Sequence, residues 1–413
     1  MNVTSWESAE PSEQYTALNA HLETDVVIIG GGITGIMSAY LLALEGKRVV
    51  VCESERIGYG ATVCTTAFVT QVTDMTLVQM KKLFGLEKTK ALWHAGRSAI
   101  DIIERIIQVE NIDCDFLRCS EFLYATKAKD FANLEMEYST AKELGIDLVL
   151  HRVNDLGFAN VGSLEIPNQA KFHPIRFVQA LARKAELLGV RIFEQTSIVE
   201  IVQGEMFTAR AELGSVKAKH IIVATSVPFN KPKVLAFKKA NYKGYVIDVE
   251  IPKGVLKEGM YIDAQTPYRY WRVDFGKAFD RLIIGGADHR QDIPVSETKS
   301  FATLERFVKT LLPTQLTRIV HKWSGPLVES IDGLPYIGEF APRQFLATAF
   351  SGNGMTYAAL SATMFCDSIL GKPNVWKALY DPKRKQSVSL VLTNAKQYID
   401  IFFGGAVKTT FLS

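Results

Sequence analysis

An α/β fold in two interleaved parts is predicted by three features of the sequence. The stretch "DVVIIGGGITGIMSAYLLALEGKRVVVCE", Asp25 to Glu53, runs strand, glycine turn, helix, strand. A second glycine-rich turn lies far downstream, in "FLATAFSGNGMTYAALSATMFCDSIL", Phe345 to Leu370. Between them, segments of βαβ character alternate with segments that read as strands of a more antiparallel sheet. At 413 residues, the chain is too long for one ordinary core, so two domains are expected.

The first stretch sets the cofactor class. Val26 to Ile29 is a continuous apolar run, as in a strand buried on both faces. Gly30, Gly32 and Gly35 then form G-x-G-x-x-G. The first glycine allows the tight turn, the second lets backbone approach a pyrophosphate, and the third lets helix and strand pack closely. The helix start offers free N–H groups and a positive dipole end to phosphates. Glu53 ends the second strand, where its carboxylate can accept from a ribose diol, which disfavours NADP. Strand, helix and acid in this order make the Rossmann-like dinucleotide fingerprint. The following "SERIGYGATVCTTAFVTQ", Ser54 to Gln71, is a poor core composition and reads as a backbone-lined cradle for a long ligand. The helix after Gly354 is a second place for an anionic group. Two such turns suit FAD more than NAD.

The remaining elements follow in order. Leu77 to Glu110 reads as two helices broken near Gly85, and Asn133 to Leu144 as another. His173 before Pro174 reads as a helix cap in preference to a catalytic base. "AKHIIVATS" is a buried strand. Lys243 to Glu250, Gly259 to Asp263, Tyr268 to Val273 and Arg281 to Gly286 read as strands. The expected division is discontinuous: residues 1–75, 166–230 and 321–385 bind the cofactor, and 76–165 and 231–320 form an α+β substrate domain. Residues 386–413 form a tail whose "YIDIFFGGAV" reads as a docking segment.

Composition excludes several classes. Hydrophobic residues make up 47% and charged residues 22%, ordinary for a globular protein, and the net charge of +3 calls for no nucleic-acid or lipid-surface partner. The basic run Lys231, Lys233, Lys238, Lys239, Lys243 reads as a solvated loop. The five cysteines form no CxxC pair, so no metal site is expected, and reduced thiols in a cytoplasm fit them. The N-terminus is acidic and polar, unlike a signal peptide, and no apolar run reaches membrane-spanning length.

With these motifs in place, the chain resembles the D-amino-acid-oxidase-like FAD oxidoreductases, the group that includes glycine oxidase and sarcosine oxidase. The likeness covers about residues 20–385. It rests on the fingerprint with Glu53, on "GYGATVCTTAFVTQ", on "HIIVATSVP", and on "WSGPLVESIDGLPYIGEF" followed by "LATAFSGNGMTYA". It implies a FAD-binding domain of glutathione-reductase type beside a substrate domain on a mixed, largely antiparallel sheet. The N-terminal "SWESAEPSEQYTALNAHLETDVVIIGGG" is similar to bacterial members that carry an added Rieske [2Fe–2S] domain. No C-x-H or C-x-x-H pair occurs, so that domain is expected to be missing, and the segment from Gln386 resembles the linker leading into it.

The resemblance implies FAD contacts residue by residue. Gly30, Gly32, Ile33, Thr34 and Gly35 would hold the pyrophosphate, and Glu53 and Ser54 the adenosine ribose. Ala61, Thr62, Thr66, Ala67 and Phe68 would line the flavin and ribityl chain, and Ile198 would meet adenine. Gly352, Asn353, Gly354, Met355 and Thr356 would lie at the pyrimidine edge of the flavin. The implied reaction is hydride transfer from an amine or amino acid to flavin N5, with oxygen or another acceptor reoxidising the flavin. Two departures stand out. Leu327 occupies the position of the relatives' carboxylate-binding arginine, and Ile283 that of an oxygen-assisting lysine. The cysteine needed near 327–331 for covalent attachment does not occur, so non-covalent FAD is expected.

"TPYRYWRV" puts Tyr268, Tyr270 and Arg272 on one strand face and Arg269 and Trp271 on the other. Tyr270, Arg272 and His289 are the substrate-pocket candidates; a strand packing its aromatics into the sheet is the plainer reading. Three functions stay open: an amine or amino-acid oxidase, an electron-transfer flavoprotein passing electrons to a Rieske or other partner, and a non-enzymatic FAD-binding protein.

Overall fold

Two sheets share the chain in a computed structural model that describes residues 3–7, 14–153, 156–226, 239–265 and 267–385. The first is built on the fingerprint strand. His21–Ile29 lies between Ser215–Val223 and Val49–Cys52, with Arg191–Phe193 and Gln344–Thr348 further out, all parallel. Tyr336–Ala341 pairs antiparallel at one edge. Val26, Val27 and Ile28 have no exposed surface, which is why the run shows no polar alternation. The helix Ile33–Leu44 covers this sheet and packs against the helices Pro174–Leu187 and Gly354–Ile369. Ala39 and Ala43 on the first helix and Ala358, Ala359 and Ala362 on the last are buried, so the backbones come close.

The second sheet has nine strands and is mainly antiparallel. Its order is Arg318–Ser330, Lys239–Ile251, Asp280–Arg290, Arg269–Asp274, Gly259–Asp263, Leu117–Ala125, Gly162–Lys171 and Phe68–Val69, with Val149–His151 beside Gly162–Lys171. One internal pair, Met260–Asp263 with Glu121–Tyr124, is parallel. Its outer face packs an aromatic core: Trp271 stacks on Tyr261 at 3.8 Å, with Tyr124 and Phe158 edge-on. The helix Glu297–Leu311 closes that core. The boundaries expected at 166 and 321 both cut strands of this sheet, Gly162–Lys171 and Arg318–Ser330.

Local expectations meet the structure at several points. The helices Leu77–Phe84 and Leu86–Glu110 flank Gly85, whose φ of 79° breaks them. The helix expected from Asn133 starts earlier, at Ala128. His173 caps Pro174–Leu187 by accepting from Arg176 N, and burial lowers its imidazole to about 4, so the ring is a neutral acceptor. Of the basic run, Lys231, Lys233 and Lys238 lie outside the described residues, as does the tail from Gln386; Lys239 opens a strand and Lys243 pairs with Glu297. Among the described residues no helix is long and apolar enough to cross a membrane.

A buried ion cluster ties the glycine-rich loop before Phe68 to the second sheet. Arg272, 3% exposed, chelates Asp274 and donates to the carbonyls of Thr66, Ala67 and Phe172, each at 3.1 Å. Lys171 reaches the same Asp274 at 2.7 Å and Glu258 at 2.9 Å. The Trp6 ring lies under the guanidinium at 5.2 Å. Burial raises the Asp274 carboxyl, but Arg272 and Lys171 overcome this and hold it below its ordinary value. Arg272→Met leaves three carbonyls without their donor and Asp274 with Lys171 alone, and is expected to cost about 3–5 kcal/mol in denaturant unfolding. Arg272→Lys will recover little of this, because a lysine lacks the planar fork.

Candidate active site

The glycine turn is shaped by what its side chains would hit. Gly30 has φ 110°, and a Cβ there would fall 2.6 Å from the Ala224 carbonyl oxygen. A Cβ on Gly35 would fall 1.9 Å from the Gly30 carbonyl oxygen, so helix and strand touch at bare backbone. The cap residue Gly32 has no side chain for the helix N–H groups, and Ile33 N donates to Thr62 Oγ1 at 3.1 Å. Glu53 Oε2 accepts from Gly31 N at 2.6 Å, and Oε1 from Glu55 N at 2.8 Å. The carboxylate is thereby preset between turn and second strand, with lone pairs left for a ligand's hydroxyls.

These groups open on a cavity of about 410 Å³. Gly30, Gly32, Ile33 and Thr34 line it with Glu53, Ser54 and Ile198 at one end; Ala61, Thr62 and Thr66 form its side. Gly352, Gly354 and Met355 close the other end, where the helix Gly354–Ile369 starts without a side-chain cap. Two uncapped helix N-termini and a glycine cradle fit a long ligand with a pyrophosphate. Five residues of the expected set do not line the cavity. Gly35 sits behind the turn, and Ala67 is fully buried at φ 57°. Phe68 packs edge-on to Tyr270 at 5.9 Å. Asn353 Nδ2 donates to the Val72 carbonyl at 2.5 Å and Thr356 Oγ1 to that of Thr70 at 2.6 Å, so both pin the floor from behind. Sequence reasoning places Cys64 in the cradle and Leu327 at the substrate, but misses Ala224 to Ser226, Ala347 to Ser351 and the neighbours of Leu327, Gly325, Pro326 and Val328. These neighbours come close because Gly325 faces Cys64; a Cβ there would fall 2.5 Å from that of Cys64.

The wall opposite the turn belongs to the second sheet: Gly244, Val246, Tyr270, Pro326 and Leu327. The Tyr270 ring lies flat on Gly285, where a Cβ would fall 2.3 Å from its Cζ. Of the three substrate-pocket candidates, Tyr270 lines the cavity and the other two do not. Arg272 shares its strand face but is held under the cradle by carbonyls and Asp274. His289 is turned aside, with Tyr245 Oη on Nε2 and the Arg290 carbonyl on Nδ1, both at 2.9 Å. Arg269, on the far face, lies over Phe307.

Sequence reasoning also missed an acidic group at this wall. Pairing with Asp280–Arg290 slips at Gly244: Lys243 faces His289, but Tyr245 faces Gly286. The extra residues, Ala287 and Asp288, form a bulge, and Ala287 takes φ 56°. The bulge lays Asp288 over Gly244, where a Cβ would fall 3.0 Å from Oδ1 and 2.9 Å from Leu327 Cδ1. Burial pushes Asp288 up to about 7, with the charge of Asp74 adding. Asp74 accepts from Gly352 N at 3.4 Å and from the Tyr268 hydroxyl, and burial raises it too. Glu329 is raised well above its ordinary value by burial, then by Asp74 and Asp288.

Among the described residues no group of three His, Cys, Asp or Glu is placed to hold a metal ion. The five cysteines are free thiols. Comparison with known proteins identifies the class. The family described as "FAD dependent oxidoreductase", abbreviated DAO, matches residues 25–368. A Bacillus subtilis (strain 168) protein named putative Rieske 2Fe-2S iron-sulfur protein YhfW is 29% identical over 386 residues, covering 92% of this chain and 75% of that one. Glycine oxidase of Bacillus licheniformis is 25% identical over 375 residues, covering 88% of this chain and 98% of the relative. The crystal structure of glycine oxidase from Geobacillus kaustophilus superposes with a TM-score of 0.76 at 19% identity, over 89% of this chain and 100% of the other. Glycine cradle, acid-tipped second strand and two-sheet architecture agree with that match, and the chain belongs to the DAO family of FAD-dependent oxidoreductases.

Proposed function

We propose that the protein oxidises a small-molecule amine or amino acid at the wall formed by Gly244, Tyr270 and Leu327. The observation that carries this is the position of that wall: it faces the end of the cavity where Gly352, Gly354 and Met355 gather. Similarity to a glycine oxidase supports the substrate class. The chemistry FAD supplies is acceptance of a hydride from the carbon beside an amine nitrogen, leaving an imine that water hydrolyses. The chain's residues bind and orient. Gly30, Gly32, Ile33 and Thr34 present backbone N–H groups to the pyrophosphate, and Glu53 accepts from the ribose. The start of Gly354–Ile369 turns its positive end toward the flavin's pyrimidine edge. Tyr270 and Leu327 exclude water from the reacting carbon. We also place the protein in the cytoplasm, in keeping with its free thiols.

A second reading concerns the electron acceptor. The likeness to a protein named for a Rieske centre favours a protein acceptor over oxygen. Mixing anaerobically reduced protein with air-saturated buffer separates the two: recovery of the visible flavin band within the turnover time marks an oxidase, and much slower recovery marks a dehydrogenase.

Two measurements test the main reading. Glycine, sarcosine, proline, D-amino acids and simple amines are titrated into the anaerobic protein; at least one will bleach the flavin band, and no bleaching by any of them overturns amine oxidation. Gly32→Val puts a branched side chain beside Thr62 Oγ1, which a Cβ alone would approach to 3.1 Å, and into the phosphate path. It is expected to purify folded and colourless, and a fully yellow variant overturns the pyrophosphate assignment.

A further inference from the structure

Asp74, Asp288 and Glu329 come from three separate segments and converge beside the cavity wall. Leu327 lines the cavity, and Glu329, two residues on along Arg318–Ser330, shares its strand face. Asp288 is aimed there by the bulge, and its Oδ1 is shielded from solvent without a hydrogen-bond partner. Asp74 joins them beside Gly352. No lysine or arginine among the described residues lines the cavity. Burial raises all three acids, Asp74 adds to the rise of Asp288, and Asp74 and Asp288 add to that of Glu329, with no basic side chain among the causes. Aromatic faces complete the enclosure: Tyr268 and Tyr270 lie 6.0 Å apart, and Phe68 is edge-on to Tyr270. Burial raises both tyrosine hydroxyls well above their ordinary value, so they stay neutral. A carboxylate brought here meets like charge and no donor cation. An ammonium meets three acceptors and aromatic faces, which is how proteins hold organic cations.

We propose that this enclosure is a cation subsite and that the substrate is an amine with a second positive charge and no carboxylate, a diamine or longer polyamine. The reacting nitrogen lies at the Tyr270 and Leu327 wall, and the distal ammonium among Asp74, Asp288 and Glu329. The inference rests on the amine-oxidation reading and names the substrate class of that site. Asp288 Oδ1 gains the donor it lacks, and the bound cation offsets the burial of the three carboxyls and the repulsion felt by Asp288 and Glu329.

Three probes of similar length separate charge from shape: putrescine, butylamine and gamma-aminobutyrate. Each is titrated anaerobically into the FAD-loaded full chain. Perturbation of the visible flavin band reports binding, and its bleaching reports oxidation. Putrescine is expected to bind at least about tenfold more tightly than butylamine, with gamma-aminobutyrate the weakest. Asp288→Asn and Glu329→Gln will each narrow the putrescine-to-butylamine ratio. Replacing a crowded carboxylate by its amide relieves repulsion, and the wild-type comparison stands without either variant. Gamma-aminobutyrate binding as tightly as putrescine, a ratio unchanged in both variants, or no perturbation by any probe overturns the proposal. Tight putrescine binding without bleaching supports the subsite and overturns amine oxidation for this ligand. Bleaching by gamma-aminobutyrate without a putrescine preference sustains amine oxidation and overturns the subsite.

Discussion

The cofactor cradle is pinned to the second sheet at one buried guanidinium. Arg272 donates to the Thr66 and Ala67 carbonyls of the cradle loop and to that of Phe172, while Asp274 neutralises it. A charge this deep is tolerated only with every donor engaged. The cradle is therefore tied to the second sheet by backbone geometry, and the left-handed Ala67 is held in place by that tie. Trp6 beneath the guanidinium and Lys171 beside Asp274 extend the same cluster.

The cavity is electrically divided. Its cradle side presents uncapped helix starts at Ile33 and Gly354, both partly positive, to a ligand rich in phosphate. Its sheet side presents the neutral Tyr270, with Asp74, Tyr268, Asp288 and Glu329 buried close to it.

Much of the architecture was legible in local pattern. The fingerprint strand, its glycine turn and the place of Glu53 at the end of the second strand were legible because each depends on residues within one βαβ unit. The His173 cap and the break at Gly85 depend on a single turn. The strands Leu117–Ala125 and Gly162–Lys171 escaped reading for a physical reason. Glu121, Gln169 and Lys171 are all at most 2% exposed, and buried polar residues erase the alternation that marks a strand. Lys171 is tolerated inside because Glu258 and Asp274 meet it across the sheet, which no local window contains.

The candidate site divides along the same line. Backbone-built parts were determined by the sequence itself: a glycine run between strand and helix can form little else than a phosphate cradle, because the steric need of each glycine is local. Side-chain roles on the second sheet were decided by tertiary structure. Tyr270 and Arg272 share a strand face, yet one meets the cavity and the other the cradle's carbonyls, according to what each finds opposite it. Asp288 reaches the wall only through a bulge, a slip in pairing between strands about forty residues apart. Register between distant strands is a property of the folded sheet, and so the charge of the substrate wall became visible only there.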